Sequence, residues 1–149
     1  YGKDGKYQAK PHSKSILKLK RKLKALTKRS WSVSLDVRLV KIKQLVMGWV
    51  NYFRIAKMKT VLAEIDQKLR KRIRIIIWKQ WKKIRTRYKA LRKLGANHKN
   101  AYSTANCRKS YQYVCAAVTI HSAISNKRLK QRGLVLLLDH FNKVHLVIN

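Results

Sequence analysis

Residues 69–95 read LRKRIRIIIWKQWKKIRTRYKALRKLG, and this stretch decides the fold class. Leu69, Ile73 and Ile76 continue an apolar series begun by Leu62 and Ile65. Their spacing of three or four residues marks one face of an α-helix. On the opposite face Lys71, Arg74, Trp78, Lys82, Arg85, Lys89 and Arg92 recur at the same helical spacing. The pattern predicts a long helix from about 58 to 82, continuing toward 93, with a basic ribbon interrupted by one indole. Lys83 and Arg87 add two more cations to the stretch. No Asp or Glu lies between Arg70 and Lys93. Ion pairs within the helix therefore cannot account for the charges. Gly95 followed by Asn97 predicts a helix stop and then a new N-cap.

Toward the N-terminus two more helices are legible. Ile16, Leu19, Leu23 and Leu26 form a narrow stripe over residues 14–28, with Lys14, Lys18, Arg21, Lys22, Lys24 and Lys28 on the other side. Ser13 or Ser15 is the N-cap candidate. A polar loop with Trp31 follows. The second helix is read over 35–55, with Ser34 as N-cap and Asp36 complementing the helix dipole. Leu35, Leu39, Ile42, Val46, Trp49 and Phe53 give its stripe. In GWVNYF (48–53), Trp49, Val50 and Phe53 are expected inside, while Asn51 and Tyr52 are left to meet an RNA groove. Gly48 costs about 1 kcal/mol in mid-helix relative to Ala, so a close helix approach is expected there. Residues 1–11, with two glycines and the only proline, read as an extended connector or the tail of a hairpin.

Beyond Gly95 the basic residues thin out. Segments near 98–109, 111–118 and 120–132 look helical, and Gly133 suits a stop. The apolar runs 134–138 and 144–148 are compatible with helix or strand.

The chain has 149 residues, 38 Lys+Arg against 5 Asp+Glu, and a formal charge of +33. Apolar residues make up 46% of it, enough to build a core, so it is not a disordered basic tail. Self-repulsion of this size calls for a polyanionic partner, nucleic acid before membrane. The five carboxylates (Asp4, Asp36, Glu64, Asp66, Asp139) exclude a two-metal polymerase or nuclease centre, which needs several converging acids. Cys107 and Cys115 lack metal-ligand spacing and read as reduced thiols. The five scattered histidines support no hydrolase triad, and no glycine-rich phosphate loop is present. Neither a signal peptide nor a membrane-length apolar run is visible. The reading is thus of no catalytic residue, no metal ligand and no membrane partner. Tyr1 in place of Met leads to the expectation of a piece of a longer protein.

Candidate binding residues follow from the charge pattern. Lysines and arginines neutralise phosphates, and an exposed aromatic between them can stack on a base. The ribbon supplies Lys71, Arg74, Trp78, Lys82, Lys83, Arg85, Arg87, Lys89 and Arg92. Trp78 is either such a platform or packed against a neighbour. Lys14, Lys18, Arg21 and Lys22 form a second cluster, and NCRKSYQY (106–113) a third with Arg108, Lys109, Tyr111 and Tyr113.

Three stretches in this order and spacing, KPHSKSILKLKRKLKALTKR (10–29), SLDVRLVKIKQLVMGWVNYFRIAKMK (34–59) and LRKRIRIIIWKQWKKIRTRYKALRKLG (69–95), resemble the maturase-specific (X or thumb) domain of group II intron reverse transcriptases. ANCRKSYQY (105–113), TIHSAISNKRL (119–129) and GLVLLLDHFNKVH (133–145) are more weakly similar to that family's DNA-binding segment. The resemblance implies a mainly α chain: a connector over 1–11, a three-helix thumb bundle over 12–93 with a long basic third helix, and a small helical DNA-binding appendix over 94–149. It implies a nucleic-acid-binding part of an intron-encoded protein. That part binds group II intron RNA to assist splicing and grips a template–primer duplex and target DNA during intron mobility. DNA synthesis, with its Mg2+, would belong to an upstream finger–palm region of the same protein, in a bacterial cytoplasm or an organelle. The family often has proline where Ile84 stands; without it, either a continuous third helix or a break that falls elsewhere is the expectation here. It often has glycine and tryptophan where Ser110 and Gln112 stand. No cysteine–histidine endonuclease module is seen. The rival readings are a structural RNA-packing protein of ribosomal type and an amphipathic membrane-active segment. The successive apolar stripes, which imply mutual packing, argue against the latter.

Overall fold

The computed structural model describes residues 12–54, 56 and 58–148. The connector expected over 1–11 lies outside them. The described residues form α1 (Ser13–Leu26), α2 (Leu35–Tyr52), α3 (Lys59–Gln80), α4 (Ile84–Lys93), α5 (His98–Ala105), α6 (Tyr111–Cys115), α7 (Val118–Ala123), α8 (Asn126–Arg132) and α9 (Leu137–Ile148), with no strand among them. The chain is mainly α, as its periodicity predicts. It divides into two compact units. The first holds the described residues up to Leu69 and those from Leu134 onward; the second runs from Arg70 to Gly133. The division falls inside α3. The first unit therefore takes in residues 134–148, which the sequence pattern groups with the C-terminal appendix.

In the first unit, Leu19 and Leu23 of α1, Leu35, Leu39, Ile42, Val46 and Val50 of α2, and Leu62, Ile65 and Leu69 of α3 are buried. Burying each such side chain contributes roughly 1.5–3 kcal/mol. The helix starts are set by local chemistry. Ser34 accepts from the Val37 amide at 3.3 Å, as expected. The α1 cap is neither Ser13 nor Ser15: His12 Nδ1 accepts from the Lys14 amide at 3.1 Å. α1 ends at Leu26, where the buried Thr27 hydroxyl donates back to the Leu23 carbonyl at 2.7 Å. Arg38, 2% exposed, binds this end to α2: Nη1 donates to the Leu26 carbonyl at 2.8 Å and Nη2 to that of Trp31. Burial lowers its pKa.

The two unassigned C-terminal runs belong largely to one helix, α9, which packs on α2. Its start has a long-range cause. Asp66, 2% exposed on α3, accepts from the Leu137 amide at 2.8 Å and the Leu138 amide at 2.9 Å. A carboxylate thus satisfies two of the amide donors that a helix N-terminus leaves unpaired. Gly48 does not serve close packing: it is exposed, and a Cβ there would meet nothing within 4 Å.

In the second unit α4 packs on α5, and α7 on α5 and α6. α4 ends in a Schellman motif. Gly95 (φ 102°) donates to the Arg92 carbonyl at 3.1 Å, and the Ala96 amide to that of Leu91 at 3.0 Å. Asn97 then caps α5 through the Asn100 amide at 2.8 Å, so the expected stop and restart are both present. The helix read over 120–132 is two helices, because Ser125 caps α8 through the Arg128 amide at 3.3 Å. Gly133 (φ 119°) ends it.

Candidate nucleic-acid interface

The basic ribbon does not run along one continuous helix. α3 stops at Gln80, Lys83 is extended (φ −100°, ψ 148°), and α4 begins at Ile84. The break occurs without the family's proline, and Ile84 occupies the first helical position, where proline is best tolerated. Trp78 packs beside this break. In the structure it is 1% exposed, edge-on to Trp81 with ring centroids 6.1 Å apart. Burying an indole removes about 150–250 Å² from water. Arg87 completes the bend. Its guanidinium lies 4.6 Å from the Trp78 ring centroid, and its Nε and Nη2 both donate to the Trp78 carbonyl at 3.3 Å. Trp78 is therefore a core residue and not a stacking platform, and Arg87 is held inside the unit.

Arg74 is a second correction. It is 3% exposed; Nε donates to the Ile124 carbonyl at 2.8 Å and Nη2 to Asn126 Oδ1 at 2.7 Å. Burial first, and then the neighbouring Arg70, lower its pKa. It joins α3 to the turn between α7 and α8 rather than offering a charge to solvent.

The other ribbon residues, Lys71, Lys82, Lys83, Arg85, Lys89 and Arg92, are exposed. Arg85, Lys89 and Arg92 share one face of α4 by their spacing. Lys82 and Lys83 sit in the bend before it. Arg92 also reaches the turn after its own helix, donating to the Ala96 carbonyl at 3.2 Å. The whole unit, Arg70 to Gly133, carries 19 Lys and Arg and no Asp or Glu.

Arg108 and Lys109 are exposed, and Lys109 Nζ lies 4.2 Å from the Tyr113 ring centroid. Tyr111 is half-buried with Arg87 5.7 Å from its ring centroid; Tyr113, at 57% exposure, is the open tyrosine of the pair. Lys14, Lys18, Arg21 and Lys22 are exposed on α1, in the first unit. There Val50 is buried, whereas Trp49 and Phe53 are half-buried with ring centroids 4.5 Å apart. Tyr52 is 81% exposed, and Asn51 Oδ1 bonds His140 Nε2 at 2.8 Å, so Asn51 serves the α2–α9 contact. Charge and periodicity do not single out Tyr88, His98 and Tyr102. The Tyr88 hydroxyl and His98 Nδ1 are 2.7 Å apart, and Tyr102 is 59% exposed. The one sequence signal for them is the four-residue spacing of His98 and Tyr102 behind the Asn97 cap.

Among the described residues no three His, Cys, Asp or Glu side chains gather to hold a metal ion, and no helix is long and apolar enough to cross a membrane. Cys115 is buried, which pushes its thiol up to about 11.

The family model of the group II intron, maturase-specific domain, matches residues 16–95, more than half of the chain. The chain therefore belongs to the group II intron maturase-specific domain family. The match runs from α1 through α4 to the glycine that ends it. No curated protein matches the chain. Membership ties it to the splicing of group II introns and to their RNA.

Proposed function

We propose that this chain binds folded group II intron RNA through the exposed cations of its second unit, and that binding holds the intron in its splicing-competent shape. The observation that carries the reading is the acid-free unit with Lys71, Lys82, Lys83, Arg85, Lys89 and Arg92 turned to solvent. Compact RNA crowds phosphates together, and a rigid cationic surface relieves that repulsion while releasing counterions. Such cations position the protein without reading sequence. Choice of intron then comes from RNA shape, since A-form duplex displays mainly its backbone and shallow minor groove. The exposed α1 cluster, Lys14, Lys18, Arg21 and Lys22, and the pair Arg108 and Lys109 serve as further phosphate ligands. In the same proposal the chain works beside an upstream finger–palm region that carries out RNA-directed DNA synthesis with Mg2+. It helps grip the template–primer duplex and the target DNA, in a bacterial cytoplasm or an organelle. A ribosomal-type packing role would use the same charges but leaves the family membership without a purpose.

The test is a titration of the protein into a folded group II intron RNA and an unstructured RNA of equal length across salt concentrations. Preference for the folded RNA that survives near about 0.2 M salt supports the proposal. Equal affinities that collapse together with salt refute it. Neutralising Lys71, Lys82, Arg85 and Lys89 together should lower the salt slope by about three units, at roughly 0.7–0.9 for each phosphate left without its cation.

A further inference from the structure

The second unit holds an aromatic cluster distinct from its exposed cations. His98 and Tyr102 are one turn apart on α5, with ring centroids 5.9 Å apart and planes inclined by 31°. Tyr88 of α4 meets His98 edge-on (79°, centroids 5.6 Å apart), and the Tyr88 hydroxyl and His98 Nδ1 bond at 2.7 Å. His98 is exposed and Tyr102 is 59% exposed. A tyrosine in that position costs apolar hydration and contributes little to the core, which α5 builds from Ala101 and Ala105 instead.

Local hydrogen bonds position the two helices that carry the cluster. The Schellman motif at Gly95 fixes the exit of α4, and the Asn97 side chain fixes the entry of α5. The Asn106 side-chain amide donates to the Tyr102 carbonyl at 2.8 Å. Cations frame it. Arg92 Nη1 bonds the Ala96 carbonyl two residues before His98, Lys99 follows His98 in the chain, and both residues are exposed. No acid lies in the unit to compete for them.

We infer that Tyr102, backed by a His98 ring that Tyr88 holds, is a stacking platform for an unpaired base of the bound RNA, with Arg92 and Lys99 taking the flanking phosphates. The inference rests on the RNA-binding proposal above and adds the element that duplex binding cannot supply. A base can lie on the Tyr102 face only if it is free of its own helix, so the platform selects RNA with a loop or bulge at the right distance from the α4 cations. Rings already ordered in the free protein lose little entropy on binding.

The experiment uses the full chain and two RNAs of equal length. One is a hairpin with 2-aminopurine in its loop; the other is a fully paired duplex with no unpaired base. Stacking should quench the 2-aminopurine fluorescence on binding. Tyr102→Ala should weaken hairpin binding by about 5- to 150-fold and abolish the quench, leaving duplex affinity and its salt slope as in the parent chain. Tyr102→Phe, which keeps the ring, should retain both quench and affinity. Far-ultraviolet circular dichroism checks the fold of each variant. An absent quench with the unmodified protein overturns the platform, as does a folded Tyr102→Ala variant that binds the hairpin normally or loses hairpin and duplex equally. If the unmodified protein binds neither RNA in a salt-dependent way, the RNA-binding proposal itself fails, and the platform with it.

Discussion

Replacing Arg74 by alanine separates an interior role from a phosphate-binding one. The guanidinium makes two charge-assisted bonds, to the Ile124 carbonyl at 2.8 Å and to Asn126 Oδ1 at 2.7 Å, from a position 3% exposed. Bonds of this kind contribute about 1.5–3 kcal/mol each, or roughly 3–6 kcal/mol together. Part of that is offset by the cost of keeping a cation out of water, the same cost that lowers its pKa. A net destabilisation of about 2–4 kcal/mol is expected, a large share of a typical stability of about 5–15 kcal/mol. With a denaturant slope of about 1–3 kcal/mol/M, the urea midpoint should fall by roughly 1–2 M. Arg74→Lys should recover less than half of this, because one ammonium cannot reproduce the forked geometry. Unfolding is followed by circular dichroism, and RNA binding is measured well below the midpoint. There the salt slope of Arg74→Ala should equal that of the parent chain, whereas Lys89→Gln should lower the slope by just under one unit and leave the midpoint alone. An Arg74→Ala variant of unchanged stability and reduced slope would refute the interior assignment and return Arg74 to the RNA.

Three other outcomes follow from the packing. Asp66→Ala should destabilise the chain by about 2–4 kcal/mol in urea melts, since two amides at the start of α9 lose a buried carboxylate, and Asp66→Asn, which keeps one acceptor, should cost about half as much. Gly48→Ala should stabilise by up to about 1 kcal/mol and raise the melting temperature by about 2–4 °C, because a methyl group there meets open space; a lower melting temperature would contradict this. Cys115 should resist alkylation at neutral pH in the folded chain. Its folded pKa of about 11 lies above the ordinary 9.0, so the stability it contributes is complete below pH 9 and is lost as pH rises toward 11; the stability difference between the parent chain and Cys115→Ala should shrink across that window, and a constant difference would count against the burial of this thiol.

Much of the architecture is legible in local pattern. Leu19 and Leu23, then Leu35, Leu39, Ile42, Val46 and Val50, then Leu62, Ile65 and Leu69 are buried where a 3.6-residue period places them. Ser34, Gly95 and Asn97 mark helix ends because capping chemistry involves only residues a few positions apart. The family is legible too, since its motifs are continuous stretches. What the pattern misjudges is the third helix and its ribbon. A spacing rule assigns Arg74 and Trp78 to the same face as Lys71 and Lys82. It has no access to the carbonyl of Ile124, fifty residues away, or to the turn of chain that carries Arg87 over the indole.

Read without its fold, then, the chain discloses its helical class, most of its core, its excess of positive charge and its family, because each depends on composition or on neighbours within a few residues. Only the tertiary structure decides which cations face solvent, that Asp66 starts a helix seventy-one residues further on, and that His98 and Tyr102 lie beside Tyr88. Burial and long-range hydrogen bonding are properties of what packs over a residue, and that partner is chosen by the folded chain as a whole.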